Sequence, residues 1–319
     1  MSQKQIIKEG NLLTDDGVLK EVGYSKKYLL TFNKDALKNT SRLKEWDSYI
    51  IMDDRFALCV SIANLDYAGV VKASVTDFRE KKCYSKVSKV LFPKNQVSMS
   101  TSGEEGISVC TTKNAEFKFE IKISKSPEEC VVNAKSFKNK KHFLYTQKII
   151  GLTAEGSVNA NGKTYVFDNE TTSVSYSFAR GVVPYKTDWY WATMQGKTQD
   201  GKTIGFNIGN IIDDDEESSE NMIYYEGKVH KLDDAKIYIQ KNGLKTNFLG
   251  SWTFYSKDGL LELFFEPVIK DTQKLNAVFL KYVPHRIFGY FNGKMTLDDG
   301  SEIAIEHIPG IAEKVENRW

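Results

Sequence analysis

The chain has 319 residues, enough for two domains or one large β domain at roughly 100–200 residues per domain. Its 44 Lys and Arg against 42 Asp and Glu leave a net charge of +2, which lacks the basic footprint of a nucleic-acid binder. With 41% hydrophobic and 27% charged residues there is material for a core and no charge excess for disorder, and the 18 Phe, 16 Tyr and 5 Trp favour strands.

Residues 1–10 carry Lys4 and Lys8 and lack the apolar stretch of a signal peptide. No run approaches the ~20 apolar residues of a membrane helix, so the expectation is a cytoplasmic chain with no membrane span. Cys59, Cys83, Cys110 and Cys130 stand 24, 27 and 20 residues apart without a Cys-x-x-Cys pair. That spacing suggests reduced thiols rather than a zinc site or a disulfide framework.

In chain order, Asn33 followed by 35–43 reads as a short capped helix, and the rest reads as strands. Strand signals fall at 49–52, 56–62, 106–110, 157–167, 203–208, 235–239, 252–255, 260–265 and 302–305. The clearest alternation is Glu116-Phe117-Lys118-Phe119-Glu120-Ile121-Lys122-Ile123, with every apolar residue on one face. Between strands stand Asp16-Gly17, Asn161-Gly162, Asp200-Gly201, Asn242-Gly243, Asp258-Gly259, Asn292-Gly293 and Asp299-Gly300, dipeptides that supply the positive φ of tight hairpin turns. A succession of antiparallel hairpins follows, and a parallel α/β fold is excluded.

A repeat organises the chain. Gly156 to Lys163, then Asp168, Gly181 and Trp189, parallel Gly289 to Lys294, then Asp299, Gly310 and Trp319; the turn Gly precedes the Asp by six residues in both copies. Pro127 and Pro267 each follow an alternating strand, and Glu45-Trp46 and Asp188-Trp189 each open a half. Two β domains are expected, 1–185 with a short N-terminal extension and 186–319. Short sequential hairpins favour closed barrels over a sandwich with Greek-key crossings. Trp46, Trp189 and Trp319 should then occupy comparable positions, Trp319 buried although it is last in the chain.

Asn11-Leu12-Leu13, Gly23-Tyr24, Lys44-Glu45-Trp46-Asp47-Ser48-Tyr49, Trp189-Tyr190-Trp191-Ala192, Gly205-Phe206-Asn207-Ile208-Gly209, Glu220-Asn221 and the close from Gly310 to Arg318-Trp319 resemble an uncharacterised bacterial family, domain of unknown function 2804, over nearly the whole chain. The stretch from Gly156 through Arg180-Gly181 to Asp188-Trp189 is more distantly similar to the double lipocalin-like proteins that include carotenoid hydratases and tocopherol cyclases. There an acid-rich Asp-x-x-Trp-Gly segment closes the module, whereas here Thr187-Asp188-Trp189-Tyr190-Trp191 has no Gly directly after. The resemblance implies two calycin-type barrels in tandem.

Candidate chemistry centres on acids beside indoles. Glu45, Asp47 and Asp188 adjoin Trp46 and Trp189, where an apolar wall raises a carboxyl pKa and suits it to protonating an alkene; the competing reading has the Trp rings plugging the barrels and the acids solvated or paired with Arg. Arg180 and Arg318 suit either packing across a core ring or anchoring an anionic head group. Glu220 and Asn221 follow the acidic run 213–217, which lacks calcium-loop spacing. His142, His230, His285 and His307 form no metal or hydrolase motif, and no phosphate-binding glycine loop occurs.

The reading is a cavity that binds a hydrophobic or amphipathic small molecule, built from Trp46, Asp47, Arg180, Tyr185, Trp189, Trp191 and Asn221. Glu45, Asp188 and Glu220 are the catalytic candidates if the protein is instead a hydratase or cyclase that protonates an isoprenoid double bond. The remaining alternative is a scaffold with filled barrels. No metal, cofactor or nucleic-acid partner is expected.

Overall fold

The computed structural model describes residues 3–91, 109–113, 117–124, 127–212, 217–271, 275–277 and 280–318. Trp319, the expected strand positions 106–108 and the acidic positions 213–216 lie outside them. No α-helix occurs among the described residues.

The first half contains β1 (Leu43–Met52), β2 (Phe56–Asn64), β3 (Ala68–Asp77), β4 (Lys82–Leu91), β5 (Val109–Lys113), β6 (Phe117–Ile123), β7 (Val131–Ser136), β8 (Phe143–Leu152), β9 (Ala154–Ala160), β10 (Lys163–Phe167) and β11 (Ser173–Val182). One sheet runs from the short edge strand Gly23–Ser25 through β7-β8-β11-β1-β2-β3-β4, and another runs β10-β9-β6-β5. Between Ile149 and Leu152 the β8 register shifts, Gly151 taking φ +91°, and the chain passes into β9 in the other sheet. This bend curls the two sheets around one core, the way a bulge turns a barrel corner.

The second half contains β12 (Trp189–Lys197), β13 (Thr203–Ile211), β14 (Met222–Tyr225), β15 (Lys228–Lys231), β16 (Ala235–Ile239), β17 (Trp252–Ser256), β18 (Leu261–Asp271), β19 (Leu280–Thr296) and β20 (Glu302–Arg318). These pair as β15-β14-β13-β12-β20-β19-β18-β17-β16, and Asn210 Nδ2 of β13 donates to the Ala235 carbonyl of β16 at 3.3 Å across the closing gap. Each half is a curled antiparallel barrel whose first long strand pairs with its last, β1 with β11 and β12 with β20.

Two local expectations are corrected. Of the expected helix only Lys34–Ala36 is helical, as a 3₁₀ turn, and Leu43 already belongs to β1. Asn33 caps nothing because its amide is spent on Leu13: Oδ1 accepts from the Leu13 N–H at 2.8 Å and Nδ2 donates to the Leu13 carbonyl at 3.0 Å. Asn292-Gly293 is no hairpin; it lies inside β19, where the register shifts between Phe291 and Gly293 and Gly293 takes φ +134° with the Glu262 carbonyl where a Cβ would stand. The hairpin equivalent to Asn161-Gly162, between β9 and β10, is Asp299-Gly300 between β19 and β20, so the repeat is real in topology but offset from its dipeptide alignment. Pro267 sits at the β18 register shift, and Pro127 between β6 and β7.

Both interiors are packed. In the first barrel Phe56 lies 5.2 Å from Tyr165 and 5.0 Å from Phe167, ring centre to ring centre. In the second, Phe206, Trp252, Phe254, Phe265 and Phe291 are each 0% exposed. Between the barrels lies a third apolar cluster, Ile50, Met52, Ala57 and Cys59 of β1 and β2 with Phe288 and Ile311 of β19 and β20.

Candidate functional site between the barrels

Strand register places two polar rows opposite one another. Cross-strand neighbours share a face, so Lys148, Ser177, Ser48, Ser61 and Lys72 form one row across β8, β11, β1, β2 and β3. On the second barrel Gly209, Trp191, Glu313, Arg286 and Asp271 form the other, across β13, β12, β20, β19 and β18. At one end Lys148 Nζ meets Glu220 Oε1 at 3.3 Å, and at the other Lys72 Nζ meets Asp271 Oδ2 at 3.1 Å. At about 4.8 Å per strand, the four steps between the two lysines span about 19 Å.

The Lys148 end opens as a small recess of about 10 Å3, room for about one water, whose lining includes Ser48, Lys148, Ser177, Trp191, Thr193 and Asn207. Lys148 Nζ donates to Ser177 Oγ at 2.7 Å and lies 5.5 Å from the centre of the Trp191 ring. Trp191 Nε1 donates to Asn207 Oδ1 at 2.9 Å, and Asn207 Nδ2 donates to the Glu220 carbonyl at 3.1 Å and to Oε1 at 3.3 Å. Gly209 makes room for Glu220: a Cβ there would stand 2.6 Å from Oε1. Asn221 fixes the same loop from behind, its Oδ1 accepting from the Gly209 N–H at 2.9 Å.

The sequence-nominated residues divide between two faces. Trp191 lines the recess, and Glu220 is joined to its lining through Asn207 and Lys148. Trp46 shares the face of Ser48, and Trp189 that of Trp191, so all three indoles turn toward the space between the barrels rather than into either barrel. Glu45, Asp47 and Arg180 occupy the opposite face of β1 and β11, inside the first barrel. There Arg180 Nη2 stands 2.8 Å from Asp47 Oδ1 and Nε 3.9 Å from Glu45 Oε1, Nη1 donates to the carbonyls of Trp46 and Ala179, and Lys34 Nζ holds Glu45 Oε2 at 2.8 Å. Burial and the neighbouring Asp47 push the Tyr176 hydroxyl upward beside them. Asp188 belongs to neither group; its Oδ1 accepts from the Asn317 N–H at 2.9 Å and ties β20 to the segment joining the barrels. Tyr185, on that segment, is 50% exposed.

Sequence reasoning missed Lys148, Ser177 and Asn207 as recess residues. Each becomes a neighbour of the others only through pairing between distant strands, and none stands in a local motif. Among the described residues no group of His, Cys, Asp and Glu is placed to hold a metal ion.

Two solved structures share the architecture. Kievitone hydratase from Nectria haematococca aligns with a TM-score of 0.52 at 13% identity over 86% of this chain and 88% of its own. A candidate AttH from Nitrosomonas europaea aligns with a TM-score of 0.50 at 11% identity over 89% of this chain and 95% of its own. At such identities the likeness establishes the fold alone. No curated protein matches the sequence. The family model described as a domain of unknown function, DUF2804, matches residues 3–120 and 103–319, and the chain belongs to that family.

Proposed function

We propose that the protein binds a hydrophobic or amphipathic small molecule in the cleft between its barrels. The observation that carries this reading is the contrast in packing. Both barrel interiors are filled by rings, whereas the facing surfaces bring Trp191, three serines and Lys148 around a small open recess. An apolar wall with a few fixed polar groups is what orients a small ligand. The ligand site expected in a barrel interior therefore moves to the outer faces of β1 and β12. Titration with retinol, which accepts tryptophan emission, is the test. Saturable quenching that weakens in Trp191→Ala supports the reading, and quenching indifferent to that substitution counts against it.

A catalytic version has one specific support. Glu220, Lys148 and Ser177 place a carboxylate, an ammonium and a hydroxyl within 3.3 Å contacts at the recess, a set able to pass a proton to and from a bound double bond or alcohol. Water addition to a bound isoprenoid alcohol, seen as a mass gain of one water and lost in Glu220→Gln with binding retained, would establish it. Among the described residues no helix is long and apolar enough to cross a membrane. The cytoplasm is the proposed location, supported by the free, buried thiols of Cys59 and Cys130, which suit a reducing compartment.

A further inference from the structure

Between β16 and β17 the chain turns back on itself as a tight hairpin over residues 240–251. Lys241 pairs with Thr246 and Asn242 with Lys245, which leaves Gly243-Leu244 as a two-residue turn. Gly243 takes φ +60° there, a conformation glycine adopts without strain. The base of the hairpin is anchored. Trp252 Nε1 donates to the Phe248 carbonyl at 3.1 Å, the His285 ring stacks on the Phe248 ring at 4.1 Å, and Lys270 Nζ lies 4.4 Å from the same ring centre. The tip is bare: Leu244 is 103% exposed and Leu249 56%. A lone exposed leucine is ordinary, but this one is flanked by charge of a single sign. Lys241 and Lys245 are both exposed, and no acid occurs from Gln240 to Ser251. Tyr238, half-exposed just before the hairpin, adds a ring of the kind that sits at water–lipid boundaries. The other lysine-rich hairpin, Lys138 to Lys141 between β7 and β8, carries no exposed apolar side chain.

We propose that this hairpin docks the protein on an anionic lipid membrane, Leu244 entering the boundary between headgroups and acyl chains while Lys241 and Lys245 meet the negative headgroups. An aliphatic tip collared by cations matches the two layers of that surface, apolar within and negative outside. A pocket on a protein partner would match the leucine alone, whereas the acid-free stretch and the paired lysines match the lipid charge as well. The lysine stems let each ammonium stay at headgroup level as the tip goes deeper. Binding needs both parts, since one leucine buries too little surface to anchor a protein, and each lysine near such a surface adds about fivefold in affinity. No residue of the hairpin lines the recess, so this inference does not depend on the reading of the cleft.

The test is co-sedimentation of the full chain with extruded vesicles, of phosphatidylcholine alone and of phosphatidylcholine with phosphatidylserine in equal parts. The wild type is expected to pellet with the mixed vesicles and not with phosphatidylcholine alone, and to release as salt is raised. Leu244→Ser should weaken binding at least about fivefold, and Lys241→Gln with Lys245→Gln together should weaken it about twentyfold. All three side chains are exposed, so these variants should fold as the wild type does, which circular dichroism checks. Lys138→Gln with Lys140→Gln and Lys141→Gln removes more charge from the other hairpin and should leave binding within about threefold. If the mixed vesicles do not carry the wild type down, or if that triple variant loses binding while Leu244→Ser keeps it, the proposal is overturned. A dimer in vesicle-free solution that Leu244→Ser abolishes, without vesicle binding, would overturn it in favour of a second copy of the chain.

Discussion

Lys148→Met is the sharpest perturbation of the pair that links the barrels at the recess. Lys148 and Glu220 side chains are 10% and 13% exposed and 3.3 Å apart. Removing one member of a fully buried pair costs about 3–5 kcal/mol because the other charge stays behind; the residual exposure here lowers the expectation to about 2–3 kcal/mol. Met keeps most of the stem that packs beside Trp191, so the loss reports charge rather than volume. Glu220→Gln keeps the Asn207 contact and should cost less. The double variant should recover much of the Lys148→Met loss, a coupling of about 1–2 kcal/mol. Urea unfolding followed by circular dichroism, with equal denaturant slopes, measures all four corners of the cycle. Losses that add within about 0.5 kcal/mol would refute the claim that these side chains act as one buried pair.

Gly209→Ala puts a methyl 2.6 Å from Glu220 Oε1, the oxygen that pairs with Lys148 and accepts from Asn207; the carboxylate must leave that pair, so the expected result is a stability loss of about 1–3 kcal/mol with clear loss of retinol affinity, checked by unfolding and fluorescence titration together. Burial lowers Lys44 to about 8 from an unfolded value near 10.5, where its amine donates to the Leu65 carbonyl at 3.0 Å. Below about pH 8 the amine is charged in both states and the folded state bears its desolvation, a penalty that fades as pH rises from 8 toward 10.5. Lys44→Met should therefore stabilise the protein near pH 7 and by less near pH 9.5 in urea unfolding, and an advantage equal at both would overturn the assignment.

How much of this was legible follows from burial. Phe117–Ile123 alternates fully, buried at each Phe and Ile and exposed at each Lys and Glu between, because one face packs on the core and the other meets water. Strands β8 and β11 gave no such signal: nearly every residue of Phe143–Leu152 and Ser173–Val182 is buried, one face by the first barrel's core and the other by the second barrel. Ser173, Ser175 and Ser177 mark the second face, and a row of serines reads as solvent in a sequence. The same geometry divided the nominated site. Glu45, Trp46 and Asp47 are consecutive, so alternation alone puts the indole on one face of β1 and both acids on the other; which face opens to the recess depended on the partner barrel. The type I′ turn at Glu226-Gly227, with φ of +45° and +89°, went unread because Glu seldom adopts that conformation.

Where a ligand sits is the central matter, and the indole N–H signals of the 15N-labelled full chain decide it. Trp191 is identified by the peak lost in Trp191→Phe, and Trp252, whose Nε1 donates to the Phe248 carbonyl at 3.1 Å inside the second barrel, by the peak lost in Trp252→Phe. On titration with retinol the Trp191 signal should move saturably while the Trp252 signal stays in place. Movement of Trp252 with Trp191 unmoved would place the ligand inside a barrel and contradict a site between the two.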